Sequence, residues 1–178
     1  SRMNQVAERY AQAFFSLAKD EGTVAELKSE AAVLKTVCDR DPIRLLDNRS
    51  ITKDEKKAIF RESLHGADRN LMNLLYLLID EGRGHYRLEI LDGFVSYCNE
   101  DLNIQEVMVY SARPLTEKEH AEIGDAISGK LGKAVEITNR IDESLLAGTR
   151  IFINDRVYDS SLKAKVRSLK EELLKESW

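Results

Sequence analysis

The chain has 178 residues, of which 43% are hydrophobic and 33% are charged, so it is long enough to bury a core of its own in one large or two small domains. The formal net charge is −4, from 27 basic and 31 acidic residues, and this balance argues against a nucleic-acid-binding surface. No run of about 18 apolar residues occurs and no signal peptide is recognisable, so no membrane-spanning helix is predicted.

The first hundred residues carry the periodicity of successive helices. A first helix is predicted from about Asn4 to Lys19, with Gly22 as its C-cap. A second helix follows from apolar residues at 3.6-residue spacing, namely Val24, Leu27, Ala31, Leu34 and Val37 or Cys38. A short third helix is predicted to open at Asp41-Pro42, because proline suits the first helical position.

Three further helices are predicted before residue 104. Thr52 and Glu55 form a capping-box pattern ahead of the fourth helix, and Asp68 can cap a leucine-rich fifth helix that ends at Glu81-Gly82. After Gly84 a long sixth helix uses Tyr86, Leu88, Ile90, Leu91, Phe94, Val95, Cys98 and Leu102. Short connections between six helices predict a bundle.

The pattern changes after about Asn103. Val107 and Val109 alternate with Met108 and Tyr110 as in a strand, and Thr116 to Glu119 forms a second capping box ahead of a helix. Further strands are predicted around Val135 and Ile137, around Ile151 and Ile153, and after the turn signal Asn154-Asp155. The sequence therefore predicts a mainly α protein, with a six-helix bundle over residues 1–104 and a smaller α+β domain over residues 105–178.

Two helices carry more apolar residues than one core needs. In the first helix the apolar residues from Val6 to Ala18 fill roughly 200° of the circumference, whereas a surface helix needs a stripe of somewhat over about 100°. In the fifth helix Leu71, Leu74, Leu75, Leu78 and Ile79 form the inward stripe, and Leu77 falls on the opposite side. This pattern is expected both for a helix that lines a partner groove and for a central helix that is buried on all sides.

No residue pattern indicates catalysis. His65, His85 and His120 lie far apart, and Cys38 and Cys98 lie outside any metal-ligand spacing. Gly82-Arg83-Gly84 lacks the lysine of a phosphate loop, and Ser160-Ser161 lacks the surroundings of a nucleophilic serine. No catalytic residue, metal site or cofactor is predicted.

Four stretches, in this order, resemble the motifs of one family. They are Ala7 to Phe14 (A-x-x-Y-A-x-A-[LF]), Leu74 to Arg83 (around L-L-x-x-L-x-x-x-G-R), Ser111 to Thr116 (S-A-x-P-L-[ST]), and Ile141 to Gly148 (D-x-S-L-x-[GA]-G) with Asp155 to Leu162. On these motifs the chain resembles the delta subunit of F-type rotary ATP synthase, called the oligomycin-sensitivity-conferring protein in mitochondria. Ala147, Asn154 and Ser160 replace glycines that are common in the family. The length and the lack of a transit peptide favour the bacterial form.

The resemblance implies a non-catalytic stator subunit, which links the alpha/beta catalytic hexamer to the b-subunit peripheral stalk and resists rotor torque during proton-driven ATP synthesis. An amphipathic amino-terminal helix of an alpha subunit is then expected between the first and fifth helices. The residues expected to contact it are Tyr10, Ala13, Phe14, Leu17, Leu74, Leu77 and Leu78. Ala7, Ala11, Phe15 and Leu71 are expected in internal packing.

The carboxy-terminal domain is expected, by the same resemblance, to contact the paired b subunits. The apolar stripe of the last helix is the candidate surface, although covering the small sheet explains the stripe equally well. Its residues are Leu162, Val166, Leu169 and Leu173. The protein is expected as a monomer within a hetero-oligomeric complex, peripheral at the cytoplasmic face of the bacterial plasma membrane, and without nucleic-acid or membrane-inserted parts. The alternative is an unrelated helical adaptor that binds an amphipathic helix.

Overall fold

A computed structural model describes residues 3–39 and 47–175 of the chain, with the side chains of residues 160–168 outside that description. The chain divides into two compact units, Ser1–Cys98 and Asn99–Trp178. It is mostly helical, and a four-stranded sheet belongs to the second unit. The functional division into residues 1–104 and 105–178 stays a prediction.

Five α-helices occupy the described part of the first hundred residues. They are α1 (Gln5–Glu21), α2 (Val24–Cys38), α3 (Lys53–Ser63), α4 (Arg69–Asp80) and α5 (Arg87–Asp101), and a 3₁₀-helix, Gly84–Tyr86, precedes α5. The leucine-rich helix predicted as the fifth is therefore α4. The short helix predicted at Asp41-Pro42 lies outside the described residues, so the count of six helices stays a prediction.

The predicted capping residues act as expected, and Asn4 adds a cap that was not predicted. Asn4 accepts a hydrogen bond from Val6 N at 2.8 Å, and Gly22 ends α1 in the left-handed region at φ 69°. Thr52 and Glu55 form a complete capping box at the start of α3, and Asp68 caps α4 by accepting from Asn70 N at 2.7 Å. These local signals fix where the helices begin and end.

The core of the first unit contains the inward stripe of each helix. Aromatic residues mark its centre, where the rings of Phe14 and Phe94 lie 4.7 Å apart. Gly93 allows close approach of α1 to α5, because a Cβ there would lie 3.1 Å from Ala11 Cβ. Leu102, predicted to continue the stripe of α5, lies beyond the helix end and is exposed, which corrects that prediction.

The second unit is an α+β fold. Its elements are β1 (Ile104–Ser111), α6 (Glu117–Leu131), β2 (Ala134–Ile141), a 3₁₀-helix (Glu143–Leu145), β3 (Gly148–Ile153), β4 (Arg156–Ser161) and α7 (Leu162–Lys175). The strand order is β2-β1-β3-β4, with β1 parallel to β2 and antiparallel to β3. Asn154 forms the β3–β4 turn at φ 55°, as expected for an asparagine in place of glycine.

Helices α6 and α7 cover one face of this sheet. Val107 and Val109 of β1, with Ile151 and Ile153 of β3, are buried against the apolar stripes of the two helices. Alternate side chains of β1 and β3 therefore point into the core, as the sequence pattern predicts.

Candidate partner-binding face of the helical unit

Helix α1 separates its apolar residues into a buried face and one flank. Ala7, Ala11 and Ala18 are buried, at spacings that place them on one side of the helix. Tyr10 is half-buried, Ala13 is exposed and the Leu17 side chain is 39% exposed. At 100° per residue these last three residues lie on the same flank of the buried face. The surplus apolar surface predicted for this helix is therefore on its outside.

Helix α4 shows the same division. The five residues of its inward stripe are all buried, as predicted: Leu71, Leu74, Leu75, Leu78 and Ile79. Leu77 lies off this stripe and is 46% exposed. Its neighbours on that side of the helix are Asn70 and Asn73, which are uncharged.

Two hydrogen bonds align α1 with α4. Asn70 Nδ2 donates to Glu21 Oε2 at 2.9 Å, and Arg83 Nη1 donates to the Tyr10 hydroxyl at 3.0 Å. The start of α4 is therefore beside the end of α1, and Arg83, three residues after the end of α4, is beside the first half of α1. The two helices run antiparallel. Leu17 lies one turn before Glu21 and Leu77 two turns after Asn70, so each leucine is on the side of its helix that carries the hydrogen-bonding residue.

The exposed apolar residues of the two helices lie at matching levels. Leu77 comes seven residues after Asn70, and Phe14 comes seven residues before Glu21. With a rise of about 1.5 Å per residue, Leu77 is about 10 Å along the axis and level with the turn that contains Ala13. Tyr10, Ala13 and Leu17 of α1 with Asn73 and Leu77 of α4 form one surface, which we call the α1–α4 face.

The remaining residues predicted for the partner site lie beneath this face. Phe14, Leu74 and Leu78 are buried in the core of the first unit. They can contribute only as the floor of a site whose walls are Leu17 and Leu77. Phe15, expected in internal packing, is half-buried and stacks on Tyr97 with ring centroids 5.9 Å apart. Ala7, Ala11 and Leu71 are buried as predicted.

Arg83 also belongs to the α1–α4 face, although the sequence did not indicate this. Besides its hydrogen bond to Tyr10, its guanidinium carbon lies 5.6 Å from the centre of the Tyr10 ring, in cation–π range. The sequence showed Gly82-Arg83-Gly84 as a turn between helices. The available signal was a cation shortly after the end of α4, but its contact with the half-buried Tyr10 could be predicted only from the pairing of α1 with α4.

The described part of the apolar stripe of α7 is buried, unlike the exposed apolar residues of α1 and α4. Leu169 is 0% and Leu173 is 2% exposed, and both belong to the core of the second unit under the sheet. Leu162 and Val166 are among the residues whose side chains lie outside the description. Leu174 is 82% exposed and borders a cavity of about 360 Å³ between α6 and α7, together with Ala126 and Leu173.

Histidines, cysteines and acidic residues are the side chains that could form a metal site in the described part of the chain. In the described ranges, 3–39 and 47–175, no three His, Cys, Asp or Glu side chains are grouped closely enough to hold a metal ion. His65, His85 and His120 are exposed. Both cysteines are buried, and burial raises the pKa of Cys38 to about 11, partly offset by the charge of Arg87. Over the same described ranges, no helix is long and apolar enough to cross a membrane.

An exposed apolar face on a helical unit is typical of proteins that bind other proteins. The chain belongs to the ATP synthase delta (OSCP) subunit family, which matches residues 6–173. The ATP synthase subunit delta of Bacillus cereus (strain B4264) is 34% identical over 173 residues, covering 96% of each chain. The corresponding subunit of Bacillus thuringiensis (strain Al Hakam) is 32% identical over the same length and share of each chain.

A solved structure has the same fold. A chain in the cryo-EM structure of the Toxoplasma gondii mitochondrial ATP synthase hexamer superposes with a TM-score of 0.65, at 20% identity, over 96% of this chain and 98% of that chain. The family assignment confirms the resemblance seen in the four motifs. As a member of this family the chain is a structural component of the ATP synthase peripheral stalk and not a catalytic subunit, as the sequence predicted.

Proposed function

We propose that the α1–α4 face binds an amphipathic amino-terminal helix of the alpha subunit and so holds this chain on the catalytic hexamer. The observation that carries the proposal is the exposure of Leu17 and Leu77 on the sides of two antiparallel helices that are joined by hydrogen bonds. Ala13, one turn before Leu17 on the same flank of α1, is exposed, and its small side chain leaves room for another helix. Helix-in-groove recognition uses apolar anchors at this spacing.

The energetics suit a permanent attachment. The face is apolar and uncharged at its centre, with Arg83 and Glu21 at its two ends. Desolvated apolar anchors slow dissociation, whereas charged groups at a rim mainly accelerate association. A link that resists rotor torque during proton-driven ATP synthesis needs slow dissociation.

We propose that the second unit binds the b subunits of the peripheral stalk. Leu169 and Leu173 are needed to cover the sheet, so the contact is placed on the outer side of α7, at Leu174 and the cavity beside Ala126. Two attachments on one chain raise each other's effective concentration. The chain is then one copy in a hetero-oligomeric complex, at the cytoplasmic face of a bacterial plasma membrane.

A titration of the full chain with a peptide of the alpha amino-terminal helix tests the first proposal. Binding is followed by the NMR signals of Tyr10 and by calorimetry. Ala13→Asp should weaken binding more than about 100-fold, because the carboxylate would be buried without a partner and would collide with the incoming helix. The fold should be unchanged, since Ala13 is exposed.

Ala32→Asp is the matched control, because Ala32 is an exposed alanine in the middle of α2, on another helix. It should bind the peptide as the unchanged chain does. Equal affinity of Ala13→Asp and Ala32→Asp for the peptide would show that the α1–α4 face is not the binding site. Equal binding of a scrambled peptide would favour a general adaptor for amphipathic helices.

A further inference from the structure

A second concave site lies in the first unit, at the end of α4. It is a cavity of about 310 Å³ between α3, the last residues of α4 and the start of α5. Phe60 and Ile79 close the cavity at its base, but they are 1% and 4% exposed and offer little apolar surface to a ligand. Its volume is at the lower end of the range for small-molecule sites.

Basic side chains dominate the walls of the cavity. Arg49, Lys56, His85 and Arg87 line it, and Asp47 is the one acidic residue among its described lining residues. Arg87 Nη1 donates to Asp47 Oδ1 at 2.8 Å and to the Gly84 carbonyl at 2.9 Å. The charge of Asp47 is therefore matched by that of Arg87, and Arg49 and Lys56 line the cavity with no acidic residue but Asp47 among its described lining residues.

Two neighbouring lysines of α3 have partners of their own, whereas Lys56 has none among the described residues. Lys53 Nζ donates to the Asp80 carbonyl at 2.8 Å, and Lys57 Nζ forms an ion pair with Asp80 Oδ1 at 2.6 Å. Lys56, between them, lines the cavity instead. Neither its side chain nor that of Arg49 has a hydrogen bond or ion pair with any residue of the described ranges. Unpaired like charges around one concave surface are stabilised by an anion.

We propose that this cavity binds a doubly charged phosphoryl group, of a phosphate monoester or of free phosphate. The phosphoryl oxygens accept hydrogen bonds from Arg49 and Lys56, for which a guanidinium and an ammonium are the preferred donors. Two cations with no ion-pair partner among the described residues favour a doubly charged phosphate over a singly charged carboxylate. This site is separate from the α1–α4 face and from its partner.

Calorimetric titrations of the full chain with phenyl phosphate, inorganic phosphate and benzoate test the proposal. Phenyl phosphate and inorganic phosphate should both bind, because each presents a doubly charged phosphoryl group to Arg49 and Lys56. Benzoate, with a single charge, should bind at least about fivefold more weakly than either. If benzoate binds as tightly as the two phosphates, the site is a general anion site, and the proposal is overturned.

Lys56→Gln should weaken phenyl phosphate binding about tenfold, and Lys56→Arg should restore most of it. Arg61→Gln is the matched control, because Arg61 is an exposed cation of the same helix outside the cavity. It removes the same charge and should change the affinity less than about twofold. No binding of phenyl phosphate up to about 10 mM, or equal losses in Lys56→Gln and Arg61→Gln, would overturn the proposal. Circular dichroism of each variant establishes that the helices are intact.

Discussion

Two leucine stripes of this chain look alike in sequence and differ in the structure. In the first unit, Leu17 and Leu77 extend the apolar surface of α1 and α4 beyond the core and are exposed. In the second unit, Leu169 and Leu173 are fully used in covering the sheet. An apolar stripe becomes a candidate partner surface only where it is wider than the surface that its own core can cover.

The largest expected effect is the difference in stability between two matched leucine-to-alanine substitutions. Leu173→Ala should lower the free energy of unfolding by about 3 kcal/mol, because it removes a buried side chain and leaves a cavity beneath the sheet. Leu77→Ala should lower it by less than about 1 kcal/mol, because nearly half of that side chain is already in water. Urea unfolding followed by circular dichroism measures both values. Equal losses would contradict the distinction between the two stripes.

A binding measurement sharpens the same comparison. Leu17→Ala and Leu77→Ala should each weaken binding of the alpha amino-terminal peptide by about 1 to 2 kcal/mol, since each removes an apolar anchor at the interface. Val33→Ala is the control, because Val33 is an exposed apolar residue of α2 outside the face. A loss in Val33→Ala as large as that in Leu77→Ala would place the peptide elsewhere on the unit.

The smallest expected effect is on stability and concerns the capping boxes of the two units. Glu55 at the start of α3 caps a helix alone, whereas Glu119 at the start of α6 also binds Arg113, with Oε1 2.7 Å from Nη2. The hydrogen bond from Arg113, then that from the Thr116 backbone, lowers the pKa of Glu119 from 4.5 to about 2. The pKa of Glu55 is lowered by its hydrogen bonds to Thr52.

Because the pKa of Glu119 is lower in the folded than in the unfolded chain, its stabilising effect is complete above about pH 4.5 and is lost as the pH falls toward 2. At neutral pH, Glu119→Gln should lower the free energy of unfolding by about 1 kcal/mol, after allowance for screening by solvent. Near pH 2 the Glu119→Gln variant and the unchanged chain should be equally stable. Glu55→Gln should have a smaller effect at neutral pH. Thermal unfolding at a series of pH values measures these differences, and a constant difference down to the lowest pH would refute this account of Glu119.

The sequence by itself determined the helices and strands, their caps and the family. Thr52, Asp68 and Thr116 cap their helices as predicted, because capping depends on the side chain of one residue and the backbone within the next turn. The apolar periodicity of each helix predicted its buried side for the same local reason. The four motifs predicted the family because their order is a property of the sequence.

Only the tertiary structure decided which apolar residues remain outside the core. Phe14 and Leu77 both belonged to the predicted partner set, and the packing of α1 beside α4 buries one and exposes the other. The contact of Arg83 with Tyr10 and the cavity at Lys56 also depend on residues far apart in the chain. The physical reason is that burial and charge pairing are set by neighbours from other elements, and periodicity along one helix does not contain that information.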